Sequence, residues 1–167
     1  MSVSETDYYS KPHIQSKPTD ISDDQVLYWA ESIIEKRFMR SNYLSSPNQT
    51  REYLKLALSQ YEREVFGIIL LDNRHAVLDF QLLFQGTIDG AAVYPREVVK
   101  AALKLNSAAV ILTHNHPSGV AEPSEADKLI TRRLITALDT VDIRVLDHLI
   151  VGGNQITSFA ERGLLTC

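Results

Sequence analysis

An α/β (α+β) layered domain, built on a mixed β-sheet flanked by helices and carrying hairpins, is predicted by three observations. Apolar runs of period two alternate along the chain with runs of helical period. Two pairs of β-rich runs are each separated by turn formers, Asp72-Asn73-Arg74 in one case and Gly152-Gly153-Asn154 in the other. Between them, the apolar run 107–113 precedes a helix-start signal at Ser124 and then the strand-like run 142–151. That is the pattern of a strand–helix–strand crossover.

The elements follow in order. Residues 1 to about 21 are polar, contain Pro12 and Pro18, and show no apolar period, so they read as a flexible leader. Ser22 and Gln25 have the form of a capping box, and Leu27, Ala30, Ile34 and Phe38 continue a first helix to about residue 40. A linker runs to residue 45. Ser46, Pro47 and Gln49 then open a second helix, with proline at the first helical position and a stripe of Tyr53, Leu54, Ala57 and Tyr61. VFGIILLDNRHAVLDFQLLF, 65–84, reads as a hairpin. After Gly86 and Gly90, Pro95 starts a helix whose Val98, Val99, Ala102 and Leu105 would cover a sheet. SAAVILT, 107–113, is a buried strand, placing His114 and His116 just past its end. Leu129, Ile130, Leu134 and Leu138 mark the helix after Ser124, and DIRVLDHLIV with QITSF supplies the last hairpin. The domain proper is expected over 46–167.

Composition narrows the function. At 167 residues, 44% hydrophobic and 23% charged, the chain fits one soluble globular domain. No apolar run approaches the roughly 20 residues of a membrane span, and the start lacks the order of a secretory signal, so a cytoplasmic protein is expected. The lone cysteine, Cys167, allows neither an internal disulfide nor a thiolate cluster. A net charge of −4 provides no basic field for a phosphate backbone.

The chemistry concentrates in LTHNHPSGVAEPSEAD, 112–127. Period-two geometry would turn His114 and His116 to one side, and Asp127 sits in the first turn of the next helix. Two imidazoles and a carboxylate make three protein ligands and leave a fourth position to water, the pattern of a catalytic zinc site, with one ion per chain. Taken singly, each piece has a plainer reading. A loop histidine is commonly a surface residue, Ser124 with Asp127 is also a capping box, and Glu64 lies in a charged run, Glu62-Arg63-Glu64. Asp147 and His148 stand side by side in an apolar strand. They could orient a metal-bound imidazole from behind or merely satisfy the core.

Taken together, His114-x-His116-Pro117 and Ser124-x-x-Asp127, with Glu64-Val65-Phe66-Gly67 upstream, resemble the JAMM signature of the MPN/JAB metalloprotease superfamily. From about Ser46 to Cys167 the chain resembles the RadC branch, through VYPREVVKAAL, LTHNHPSG, EPSEAD, VLDHLIV and SFAERG. The resemblance implies a single MPN/JAB-like domain and a zinc-dependent hydrolase of a peptide or isopeptide amide. His114, His116 and Asp127 would hold the zinc, Glu64 would act as base, and Ser124 would donate to the oxyanion. The implied partner is a protein or peptide substrate. Two alternatives stand beside it, a non-catalytic MPN-type protein-binding module and a DNA-repair-associated accessory protein. Longer RadC proteins carry an N-terminal helix-hairpin-helix region. The residues ahead of the match here contain no glycine, so that hairpin is expected to be missing and direct nucleic-acid binding is not expected. Free sheet edges and the first helix leave self-association open.

Overall fold

A computed structural model describes residues 21–40, 47–86 and 92–165. Residues 1–20 of the expected leader, the linker 41–45, Ser46, Gly90 and Cys167 lie outside the described residues. The elements are α1 (Asp23–Arg40), α2 (Pro47–Ser59), β1 (Val65–Leu71), β2 (Val77–Gln85), α3 (Pro95–Lys104), β3 (Ala109–Asn115), α4 (Glu125–Asp139), β4 (Arg144–Gly152) and β5 (Gln155–Ser158). The strands form one sheet in the order β2-β1-β3-β4-β5. β3 and β4 run parallel and are connected through α4, whereas the other neighbours are antiparallel. This is the mixed sheet with flanking helices that the sequence predicts. Among the described residues no helix is long and apolar enough to cross a membrane.

Local chemistry sets the element ends. The Ser22 hydroxyl accepts the Gln25 N–H at 3.2 Å while the Gln25 side chain accepts the Ser22 N–H at 3.0 Å, which closes the first capping box. Pro47 and Pro95 open α2 and α3, where a missing N–H costs nothing. The first hairpin turn runs longer than its three polar residues indicate. The Asp72 carboxylate accepts from both Arg74 and Ala76 N–H at 2.8 Å, and His75 takes a φ of 63°, so β2 starts only at Val77. β4 likewise starts at Arg144 because Asp142, at φ 58°, still belongs to the turn after α4.

Packing alternates across the sheet. Val65, Ile69 and Leu71 of β1 and Ala109 and Ile111 of β3 bury against Tyr53, Leu54 and Leu58 of α2. Phe66, Ile68, Leu70, Val110 and Leu112 bury on the opposite face against Val98 and Ala102 of α3 and Leu134 and Leu138 of α4. Each of the Val, Leu, Ile and Phe side chains among them contributes about 1.5–3 kcal/mol on leaving water. The same alternation fixes the direction of the polar residues that follow. β3 extends to Asn115, so His114 lies inside the strand and not beyond it, facing α4, while Asn115 faces the α2 side.

Candidate metal centre

His114, His116 and Asp127 converge at the end of β3. Their ligand atoms all lie within 4.8 Å of one another. His114 Nε2 is 2.9 Å from His116 Nε2 and 3.2 Å from Asp127 Oδ1, and His116 Nε2 is 3.5 Å from Asp127 Oδ2. Metal bonds of about 2.0–2.1 Å at tetrahedral angles would place ligand atoms about 3.3 Å apart. The observed gaps straddle that value. The cluster opens into a groove of about 1060 Å³, whose wall includes Glu64, Ser124, Tyr94, Leu129 and Arg133.

Hydrogen-bond partners assign the protons. His116 Nδ1 lies 2.7 Å from the Val120 carbonyl, which can only accept, so in the neutral ring the proton is on Nδ1 and Nε2 is bare. The Thr131 hydroxyl, at 2.5 Å from the Asp127 carbonyl, has to donate there. Its oxygen therefore accepts from His148 Nδ1 at 2.6 Å, which leaves His148 Nε2 to accept from His114 Nδ1 at 2.8 Å. His114 Nε2 is then bare as well. Two lone pairs facing each other at 2.9 Å beside a carboxylate make a pocket for a cation, and the donor set fits a divalent metal ion.

Charge follows the same geometry. A hydrogen bond with Asp127 raises the pKa of His116 above its ordinary value, against the opposing effect of burial, with the Val120 carbonyl adding to the rise. Burial pushes the Asp127 carboxyl up, but the hydrogen bonds that the His114 and His116 rings give it in their charged forms, with Nε2 protonated, outweigh burial and hold the group well below the usual carboxylate range. Burial depresses His148 well below an ordinary imidazole. His148 is fully buried, and Phe66 and Phe159 bracket it with ring centroids at 5.7 and 4.8 Å.

The surrounding backbone is held from several sides. The turn carrying His116 is tied to β4 through His116 N–H to Val151 O at 2.8 Å and closes with Gly119 at φ 80°. Gly152 passes directly beneath it. A Cβ there would meet Ala121 N at 2.5 Å and Val120 C at 2.7 Å. Asn115, between the two histidines, clamps the segment that carries Glu64. Its Oδ1 accepts from Val65 N–H at 2.8 Å, and its Nδ2 donates to the Tyr61 and Arg63 carbonyls at 3.1 and 3.2 Å. The Glu64 carbonyl accepts from Gly86 N–H at 2.7 Å on the other side. Ser124 is the N-cap of α4: its hydroxyl accepts the Asp127 N–H and donates to Asp127 Oδ2 at 2.6 Å.

Of the residues singled out in the sequence, Glu64, His114, His116, Ser124 and Asp127 line one groove. His148 stands directly behind His114. Asp147 points elsewhere, accepting from the Ser158 hydroxyl at 2.6 Å and Ala160 N–H at 2.9 Å, and so anchors the turn after β5. Sequence reading missed Asn115 and Thr131. Asn115 looks like a spacer until β1 and β3 are paired, and Thr131 looks like a helix-surface residue until α4 is laid on β4.

The sequence pattern of the RadC-like JAB domain matches residues 44–164. The chain belongs to the RadC family. Among its relatives, a UPF0758 protein of Vibrio cholerae is 54% identical over 143 residues, covering 86% of this chain and 90% of the relative. A UPF0758 protein of Nitrosococcus oceani is 61% identical over 132 residues, 79% of this chain and 59% of the relative. One from Vibrio campbellii is 55% identical over 138 residues, 83% and 62%. This RadC-family chain thus spans nearly the whole of some relatives and about three fifths of others.

Proposed function

We propose that the protein is a zinc-dependent metallohydrolase that cleaves a peptide or isopeptide amide. The observation that carries this reading is the pair of bare imidazole nitrogens facing each other beside the Asp127 carboxylate, at the foot of an open groove that also contains Glu64. When bound, zinc would supply Lewis acidity and acidify water at its open position to a pKa of about 7. The residues of the chain do the rest. His114, His116 and Asp127 hold the ion, and the fixed tautomers of the two imidazoles leave both Nε2 atoms ready for it. Glu64, kept at the groove by the Asn115 clamp, accepts the proton of the attacking water and passes it to the leaving amine. Ser124 donates its hydroxyl proton to the developing oxyanion, which requires release of Asp127 Oδ2. Phe66, Val93, Tyr94 and Leu129 give the groove apolar wall area suited to a polypeptide.

The test compares wild type with Glu64→Gln, both zinc-loaded, on a library of peptides and isopeptide-linked peptides. Cleavage by the wild type and loss in the variant, at equal zinc content, is expected. Equal cleavage by both would refute the base role. Absence of cleavage by zinc-loaded wild type over the whole library would favour the second reading, a protein-binding module that keeps the ion for shape, to which the commitment of the Ser124 proton to Asp127 already lends support.

A further inference from the structure

We propose that His148 and Thr131 are positioning residues that set the tautomer of His114, keeping the proton of its neutral ring on Nδ1 so that Nε2 is presented bare to the metal. The relay runs between three separate elements. Its first member, His114 on β3, is 1% exposed, and its second, His148 on β4, and third, Thr131 on α4, are 0% exposed. The contacts are 2.8 Å and 2.6 Å, and the last one, 2.5 Å, ends on a backbone carbonyl. That terminus gives the chain its direction, because a carbonyl cannot donate. Every proton upstream is therefore pointed the same way: Thr131 to Asp127, His148 to Thr131, His114 to His148. Neither ring nitrogen of His148 meets a carboxylate or solvent, so the ring is held neutral and must be an acceptor at Nε2.

The relay also closes on itself. The residue whose carbonyl fixes its direction, Asp127, is the residue whose carboxylate faces the same ion. A shift of α4 that removed the carboxylate would also release the hydroxyl that orients His114. The two ligands are thereby coupled through protein, independently of the ion. Register places these groups together: Leu112 pairs with His148, so the His148 ring stands one step along the sheet from His114, on the face that α4 covers.

The purpose of the relay rests on His114 serving as a metal ligand, and the experiments separate the two. In the metal-free full-length chain, long-range proton–nitrogen NMR of the imidazoles at a pH of about 8, where free histidine is neutral, should show His114 and His148 as Nδ1–H tautomers. Thr131→Val removes one oxygen without touching a ligand and frees His148 to reverse. His114 should then acquire Nε2–H, and zinc affinity, measured by chelator competition, should fall about ten- to a hundredfold. His148→Leu should do the same. His148→Gln, whose amide can accept from His114 and donate to Thr131, should recover the wild-type tautomer and affinity to within about threefold, a recovery that a purely space-filling role would not give. An Nε2–H tautomer of His114 in the wild type would overturn the relay, as would wild-type zinc affinity in Thr131→Val. Should His148→Leu fail to fold, the wild-type spectrum and Thr131→Val still decide. A wild type that binds no zinc at all would overturn the metal-site reading, while the tautomer spectrum would still accept or reject the relay.

Discussion

Replacing Asn115 with alanine removes the clamp on the Glu64 segment, and the size of the effect can be worked from its three contacts. Val65 is 1% exposed, so its N–H, deprived of Asn115 Oδ1, would be stranded away from water. A buried donor without a partner costs about 1–3 kcal/mol. The Tyr61 and Arg63 carbonyls lie in a more open stretch where water can replace Nδ2, so each loses about 0.5 kcal/mol. The sum is about 3 kcal/mol, and at about 2–4 °C per kcal/mol for a chain of this size the melting temperature should fall by about 6–12 °C. Thermal unfolding of metal-free protein, followed by far-ultraviolet circular dichroism, reads this directly. Asn115→Asp sharpens the test. It keeps an acceptor for Val65 N–H but turns a carboxylate oxygen towards two carbonyls, so it should be at least as harmful at neutral pH. If Asn115→Ala loses less than about 1 kcal/mol, or about 3 °C, the segment is held by something other than this amide and the reasoning fails.

Gly152→Ala would press a methyl group into the Val120–Ala121 backbone, whose Val120 carbonyl orients His116, so zinc affinity should drop by about tenfold or more; unchanged affinity in chelator competition would show that the turn yields freely. Ser124→Ala should cost about 1 kcal/mol of stability through the lost cap. If Ser124 serves the oxyanion, kcat should also fall about 10²–10³-fold, and a stability loss with kcat intact would leave it a cap only. In metal-free protein the raised pKa of His116 means that its contribution to stability is full below about pH 6.5 and is lost as pH rises through the folded-state value. The lowered pKa of Asp127 adds stability above about pH 4 that is lost as pH falls through its folded-state value. Urea midpoints in chelator should therefore decline towards alkaline pH, whereas zinc affinity should climb over the same range because the ion and the proton compete for His116. Zinc affinity that weakened with rising pH would contradict this ligand set.

Much of the fold is legible in the sequence because its signals are local. The Ser22 and Ser124 capping boxes and the helix-opening prolines act within one turn of chain, and the apolar alternation of β1 and β3 states which face is buried. What escapes is what depends on register. The pairing of Phe66 with His114 brings Asn115 against a segment 50 residues earlier, and nothing local in Asn115 reveals it. The Asp147–His148 pair illustrates the same limit. The sequence marks both as polar residues in an apolar strand, but only the pairing of Leu112 with His148 decides that the histidine turns towards the ligands and the aspartate towards Ser158. The end of β3 is hidden for a related reason: Asn115 and the histidines look like loop residues, yet pairing to β1 and β4 holds His114 within the strand.

All three candidate donors belong to one stretch, 114–127, a strand end, a turn and the first turn of a helix, whereas Glu64 lies just ahead of β1, in a segment clamped by Asn115. The donors thus come from one short segment, braced from behind by β4 and α4, whereas the proposed base comes from another part of the fold. If the proposed roles hold, a lesion confined to residues 61–64 would leave the protein metal-loaded yet inert. On the proposed chemistry, metal content alone would therefore be a poor gauge of activity for this chain.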